Sequence, residues 1–208
     1  MEEELYDFST KDELLNKLRN YANTPDDYSI RFKKKIEKAL LECPELLYAL
    51  NNKELESELF NEDGTLNTEG EWDRYFGKDS NIRPYLYIPQ TQESVSSFLC
   101  YQTHFDSHPR YNDRELYGEI TFHVFVQGQD CMDTLTGIPR HDLIASILRE
   151  KFSWSNIFGL TCEIIENSEG LTDTHYLTRT LTMQVVVTKN MLKTENGKTG
   201  YINYMVRK

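Results

Sequence analysis

Residues 137–159 read GIPRHDLIASILREKFSWSNIFG. Leu143, Ile144, Ile147, Leu148 and Phe152 recur at spacings of three and four, which places them on one face of a helix about four turns long. Gly137 ends a turn, Pro139 suits the first turn of a helix, and Asp142 favours its positive end. A competing reading is catalytic, because Arg140, His141 and Asp142 stand side by side as if assembled for proton transfer. Neighbours on a helix diverge by about 100°, so adjacent side chains do not meet face to face. A hydrolase also needs a nucleophile or a bound water beside a second polar group. The sequence holds no Gly-x-Ser-x-Gly, His-Glu-x-x-His or glycine-rich phosphate loop. The stretch therefore reads as a helix start, with Arg140 and His141 facing outward and an apolar stripe in need of a sheet.

That sheet is legible on both sides of the helix. In GEITFHVFVQG (118–128), Ile120, Phe122, Val124 and Val126 alternate with Glu119, Thr121, His123 and Gln127, the pattern of a strand with one apolar face. Before it, Phe98, Cys100 and Gln102 alternate with Leu99, Tyr101 and Thr103. The turn-rich DSHPRYNDRELYG between them suits a long exposed loop. After the helix, Leu160, Cys162 and Ile164 share a face, as do Leu177, Leu181, Met183, Val185 and Val187. Turn residues in SEGLTDT (168–174) separate these last two strands. The expected fold is α+β: a small, mostly antiparallel sheet in the order strand-strand-helix-strand-strand, packed on a helix and preceded by an N-terminal helical region.

In that helical region, residues 1–60, Ser9 and Thr10 are good N-caps ahead of Leu14, Leu15 and Leu18. Asn23, Thr24 and Pro25 break the first helix, and Asp26 or Asp27 caps the next. Ile30, Ile36, Ala39 and Leu40 line its apolar stripe beside the basic run of Arg31, Lys33, Lys34 and Lys35, read as solvated charge. Pro44 starts a further short helix carrying Leu46, Leu47 and Leu50. Residues 61–81 are dense in Asn, Asp and Gly and read as a connector between two units, pinned by a short helix around Trp72, Tyr75 and Phe76. Residues 82–190 form the α+β unit. Residues 191–208 carry an Asn196-Gly197 turn signal and then Tyr201, Ile202, Tyr204 and Val206, a hairpin or an arm reaching another subunit.

Composition narrows the function. The 208 residues carry a formal net charge of −11, which argues against gripping nucleic acid by its phosphates but not against standing beside DNA without sticking. No apolar run approaches the roughly 20 residues of a membrane span, and MEEELYDF lacks the features of a secretory signal. Cys43, Cys100, Cys131 and Cys162 are far apart and read as buried free thiols in a reducing, cytosolic setting. His104, Asp106 and His108 crowd together in HFDSH and offer a metal-ligand trio, with His141 as a further candidate. A metal-dependent hydrolase or nuclease is the alternative function that follows. The trio spans a strand end and a loop containing Pro109, so nothing constrains its geometry. No catalytic, cofactor-binding or metal-ligating residue is assigned, and the chain reads as a non-enzyme without a cofactor.

From about Ile82 to Thr188 the chain resembles the neck and tail-completion proteins of tailed bacteriophages, most of all tail terminators. The resembling features are RPYLYIPQ leading into the first strand, EITFHVFVQG, the helix with its G-I-x-R-x-D-x-I start, and DTHYLTRTLTMQVVV as the last strand. The resemblance implies a structural virion protein of the head–tail junction. Such a protein forms a homo-oligomeric ring, hexameric by this likeness, that ends the tail tube. It meets the tail-tube protein and a neck or head-closure protein and lets DNA pass. It would assemble in the host cytoplasm, with no membrane contact. The acidic helical first third departs from the usual short terminator and keeps two alternatives open: a head-closure or adaptor ring, and a cytosolic binding module.

Overall fold

The computed structural model of the protein describes residues 10–23, 27–87, 97–106, 115–158, 162–172 and 176–188. Helix α1 spans Lys11–Asn23. It opens on a capping box in which Thr10 Oγ1 accepts from Glu13 N–H while Glu13 Oε2 accepts from Thr10 N–H. No residue of α1 is fully buried: Leu14 and Leu15 are half-buried and Leu18 is exposed. Helix α2, Tyr28–Leu41, is capped by the Asp27 carboxylate, which accepts from Ile30 N–H at 3.1 Å. Its buried stripe is Phe32, Ile36, Ala39 and Leu40. Ile30, expected there, is exposed: the helix is rolled so that Phe32 can stack on Phe158, 4.8 Å between centroids and nearly parallel. Helix α3, Pro44–Ala49, starts on its proline, and α4, Glu56–Leu59, is a single turn.

The segment from 61 to 81 is held closely. Trp72 Nε1 donates to Glu58 O, and Arg74 pairs with the Glu58 carboxylate at 2.7 Å. Tyr75, in a 3-10 turn over Trp72–Tyr75, is fully buried. Asn52 donates to Asn81, whose amide in turn donates to Ser97 O. This buried relay fastens the helical third to the sheet edge.

The sheet has five strands in the order β1-β2-β3-β5-β4. Sequence reading missed β1, Ile82–Arg83, a two-residue strand parallel to β2. Strands β2 (Ser97–Asp106), β3 (Glu115–Gln127), β5 (Tyr176–Thr188) and β4 (Cys162–Leu171) pair antiparallel with one another in that order. The expected α+β class and strand-strand-helix-strand-strand order are thus what the molecule has. Helix α5, Arg140–Phe152, carries the chain from β3 across to the outer position of β4, and β5 turns back into the gap between them. SEGLTDT is less of a turn than expected, because β4 pairs with β5 through Leu171.

Every second residue of β3, from Ile120 to Val126, faces the helices, together with Leu99, Tyr101, Leu181, Met183 and Val185. Residues of α2, α3 and α5 join these in one continuous core. Rings from four elements carry it: Phe122 meets Phe152 at 5.1 Å, Phe152 meets Phe158, and Phe158 stacks on Phe32. Phe32 then takes Phe105 edge-on at 4.9 Å. Phe105 lies across Gly118, where a Cβ would sit 2.5 Å from its ring, so only glycine lets that ring reach α2. The opposite face of the sheet is mostly polar, with a small second cluster of Phe98, Cys100, Phe125 and Tyr176 capped by the Arg83 guanidinium over Phe98 at 4.5 Å.

Candidate functional site

The start of α5 is where the residues most suggestive of chemistry sit, and it is not an exposed helix start. Arg140 is 5% and His141 2% exposed, which corrects the expectation that both face outward. The turn before them decides this. Gly137 takes a left-handed φ of 71°, and Met132 bridges to Pro139. Asp133 Oδ2 accepts from Thr136 N–H at 2.8 Å and from its hydroxyl at 2.7 Å. The chain is folded back on itself, and the first turn of the helix lies beneath it. Arg140 spreads its guanidinium between Asp130 (3.3 Å) and Asp133 (3.5 Å), while Nη1 donates to Ala49 O at the end of α3. Asn51, in a left-handed conformation that asparagine tolerates, donates to the Asp130 carboxylate at 2.9 Å. The arrangement is a strut that binds α3 to α5.

His141 points the other way, to the β4–β5 hairpin. Its Nε2 lies 3.2 Å from Glu169 and 3.8 Å from Asp142, and Arg179 Nη1 lies 3.6 Å from Glu169 and 3.4 Å from Asp142. Two cationic or protonatable groups alternate with two acids, while His141 Nδ1, Asp142 Oδ1 and Arg179 Nε are buried without a hydrogen-bond partner among the described residues. The groups nearest His141 Nε2 are both carboxylates, Glu169 and Asp142. The chemistry of the cluster is that of a clasp between helix and hairpin. Truncation tests this. His141→Ala removes a buried ring and leaves Glu169 and Arg179 to re-pair, and should cost about 1–3 kcal/mol in a urea melt, more than an exposed imidazole could.

Asp133 ties this turn to pH. The Thr136 hydroxyl and N–H, with Arg140 adding to them, hold its carboxyl below the ordinary value of 3.8. A depressed acid contributes stability above its unfolded pKa and loses it as pH falls through the folded one. Unfolding midpoints measured from pH 6 to pH 2 should therefore fall in the acid limb, and Asp133→Asn should flatten that fall.

The metal trio is not assembled among the described residues. His104 is exposed on β2, while the Asp106 side chain and His108 lie outside the described residues, as does His175. No group of three His, Cys, Asp or Glu side chains is positioned to hold a metal among the described residues. His123 lies on the polar sheet face, its Nδ1 3.3 Å from Thr180 Oγ1, with burial pushing its pKa down against the raising effect of Glu166. The thiols of Cys43 and Cys100 are raised by burial, and that of Cys162 to about 11, so none is a thiolate at neutral pH.

A recess opens in the helical layer. Between α3 and α5, closed at one end by the 131–138 turn and at the other by Phe60 and Leu66, is a groove of about 390 Å³. Its walls are Tyr48, Ala49, Phe60, Leu66, Leu143 and Ile147. Leu135, on its lip, is 78% exposed. Leu143 and Ile147, assigned to the sheet-facing stripe by spacing, line this groove instead, because α5 is rotated to bury Ile144, Ala145, Leu148 and Phe152. A signal existed in the sequence: Leu66 and Leu135 are lone leucines stranded in polar turns, where burial against the chain's own core is not available. A second exposed apolar group is Trp154, 74% exposed, just past α5 with φ of 58°. That is the left-handed position where helices usually place glycine.

A model of the YomW family matches residues 44–185, from the proline that opens α3 to Val185 of β5, so the match takes in the groove, the strut and the clasp. The chain belongs to the YomW family. The family name is phage-derived, and it is compatible with a phage protein. No curated protein matches the chain.

Proposed function

We propose that this YomW-family chain is a non-enzymatic structural protein of the phage head–tail junction, a ring that ends the tail tube as tail terminators do. The observation that carries the reading is apolar surface left open on an acidic chain: the α3–α5 groove with its exposed leucines, and Trp154. Large apolar side chains left exposed at two places on the surface suit contacts with another protein. The side-chain clusters at the start of α5 support the same reading, since each is accounted for as a structural tie. In a ring around DNA in transit, a charge of −11 per subunit would repel phosphates and keep the duplex sliding. Closure of such a ring needs two different surfaces on each subunit.

Native mass spectrometry of the protein, alone and with its tail-tube partner, tests this. A defined ring, hexameric by the likeness to terminators, is the expected result, together with the protein's presence in purified virions. A strict monomer in every condition overturns it. A ring that takes up portal or head-closure protein and ignores the tail tube replaces the terminator by an adaptor. Trp154→Gly separates folding from assembly. Relief of the left-handed backbone should raise stability by about 1 kcal/mol, while loss of the indole should weaken ring formation at least tenfold by the same spectrometry.

A further inference from the structure

The groove between α3 and α5 has a matching segment in the same sequence. We propose that residues 201–208 of one copy, YINYMVRK, seat in this groove on a neighbouring copy. The inference rests on the reading above only in requiring that copies associate.

The chemistry of the two surfaces is complementary. Tyr201, Ile202, Tyr204, Met205 and Val206 put five large apolar side chains in six positions, followed by Arg207 and Lys208. The groove presents apolar walls with the Glu45 carboxylate at its margin. Residues 189–208 contain five Lys or Arg and one Glu, whereas the chain as a whole carries −11. The segment is therefore cationic and the body to which it would bind is strongly acidic, which steers and orients their encounter. The recess has the size of a pocket for side chains rather than for a whole element, which suits an extended arm anchored by a few residues.

Strand addition at the β4 edge of the sheet, an alternative seat, is disfavoured. Strand β4 exposes Glu163, Glu166 and Glu169 along that edge and has a register break between Ile164 and Glu166, devices that discourage edge pairing.

A neighbour rather than the same chain is favoured by reach. Strand β5 ends at Thr188, opposite Glu115, while α5 begins beside Asp130, past the other end of β3, where Gln127 faces Tyr176. The length of β5 separating those ends is about 40 Å at strand rise, of which Leu143 and Ile147, within two turns of the α5 start, recover about 10 Å. The thirteen steps from Thr188 to Tyr201 span at most about 47 Å fully extended. An arm of the same chain would have to spend most of that length on the passage round the helical layer, whereas an arm from a neighbour need not.

Disulfide trapping between copies tests the proposal. In a Cys131→Ser background, Leu135→Cys protein is mixed with Tyr204→Cys protein and oxidised; Ile165→Cys, on the exposed β4 edge, replaces Leu135→Cys in the control. The expected product is a linked pair of chains, at least tenfold above the control, with the 135–204 bridge identified by peptide mass spectrometry. No linked pair above the control overturns the proposal, and so does a 135–204 bridge that forms only within one chain of the doubly substituted protein. Full-length Ile202→Ser/Tyr204→Ser should lose association at least tenfold with an unchanged melting temperature; unchanged association also overturns it. A ring without the bridge leaves the ring reading standing and removes this one, whereas a bridge without a ring does the reverse.

Discussion

Arg140→Ala is expected to destabilise the protein by about 3–5 kcal/mol, because it leaves two acids desolvated with their cation gone. Asp130 and Asp133 both lean on the guanidinium, and Ala49 O loses its donor at the end of α3. The loss is not local. With the guanidinium removed, the Asn51–Asp130 hydrogen bonds are left to tie the end of α3 to the turn before α5, and the 131–138 lip of the groove loses its anchor on Asp133. Arg140→Lys should recover only part of the deficit, since one ammonium cannot reproduce a fork that meets two carboxylates and a carbonyl. Chemical denaturation with circular dichroism, at pH 7, measures both. A cost under about 1 kcal/mol for the alanine variant would place Arg140 among ordinary surface pairs and refute the strut.

Leu148→Asp should be more severe still and should leave no folded protein. Leu148 is completely buried in the core shared by helices and sheet, and a carboxylate there has no partner to offset its desolvation. The cost is several kcal/mol, comparable with the whole stability of a domain. Ile147→Asp, one residue earlier, provides the contrast. Ile147 lines the groove and is only partly buried, so its charge can reach water. That variant should remain folded, losing about 1–2 kcal/mol, and should lose association instead. Expression, thermal melts and native mass spectrometry of the pair distinguish a core position from an interface position on adjacent residues of one helix.

The phage reading and the arm proposal meet in this helix. Its inner face holds the sheet, its first turn is tied on two sides, and its outer face lines the groove proposed to take a neighbour's arm. The ordinary expectation for a histidine and an arginine at a helix start was solvent exposure, and the reason it failed is instructive. Charge and helix geometry were read along one chain, but burial of a charged side chain depends on partners supplied from elsewhere. Asp130, Asp133, Glu169 and Arg179 are near in space to α5, and no periodicity announces that.

The period of two in β2, β3 and β5 and the period near three and a half in α5 are properties of the local sequence, because each follows from side-chain geometry along one element. So are the caps at Thr10, Asp27 and Pro44, which satisfy or remove backbone donors within a few residues of themselves. These determined the element order and hence the α+β class. What tertiary structure alone decided is the rotation of each helix about its axis. Five apolar positions on α5 are compatible with a stripe centred on Ile147 or on Leu148. The choice was made by the aromatic column that draws Phe152 onto Phe122 and by the strut that pulls in Arg140. That rotation, of a fraction of a turn, buries Leu148, turns Leu143 and Ile147 outward, and opens the groove. It arises from contacts between residues far apart in the chain, whose free energies compete within a few kcal/mol, and a local pattern does not contain them.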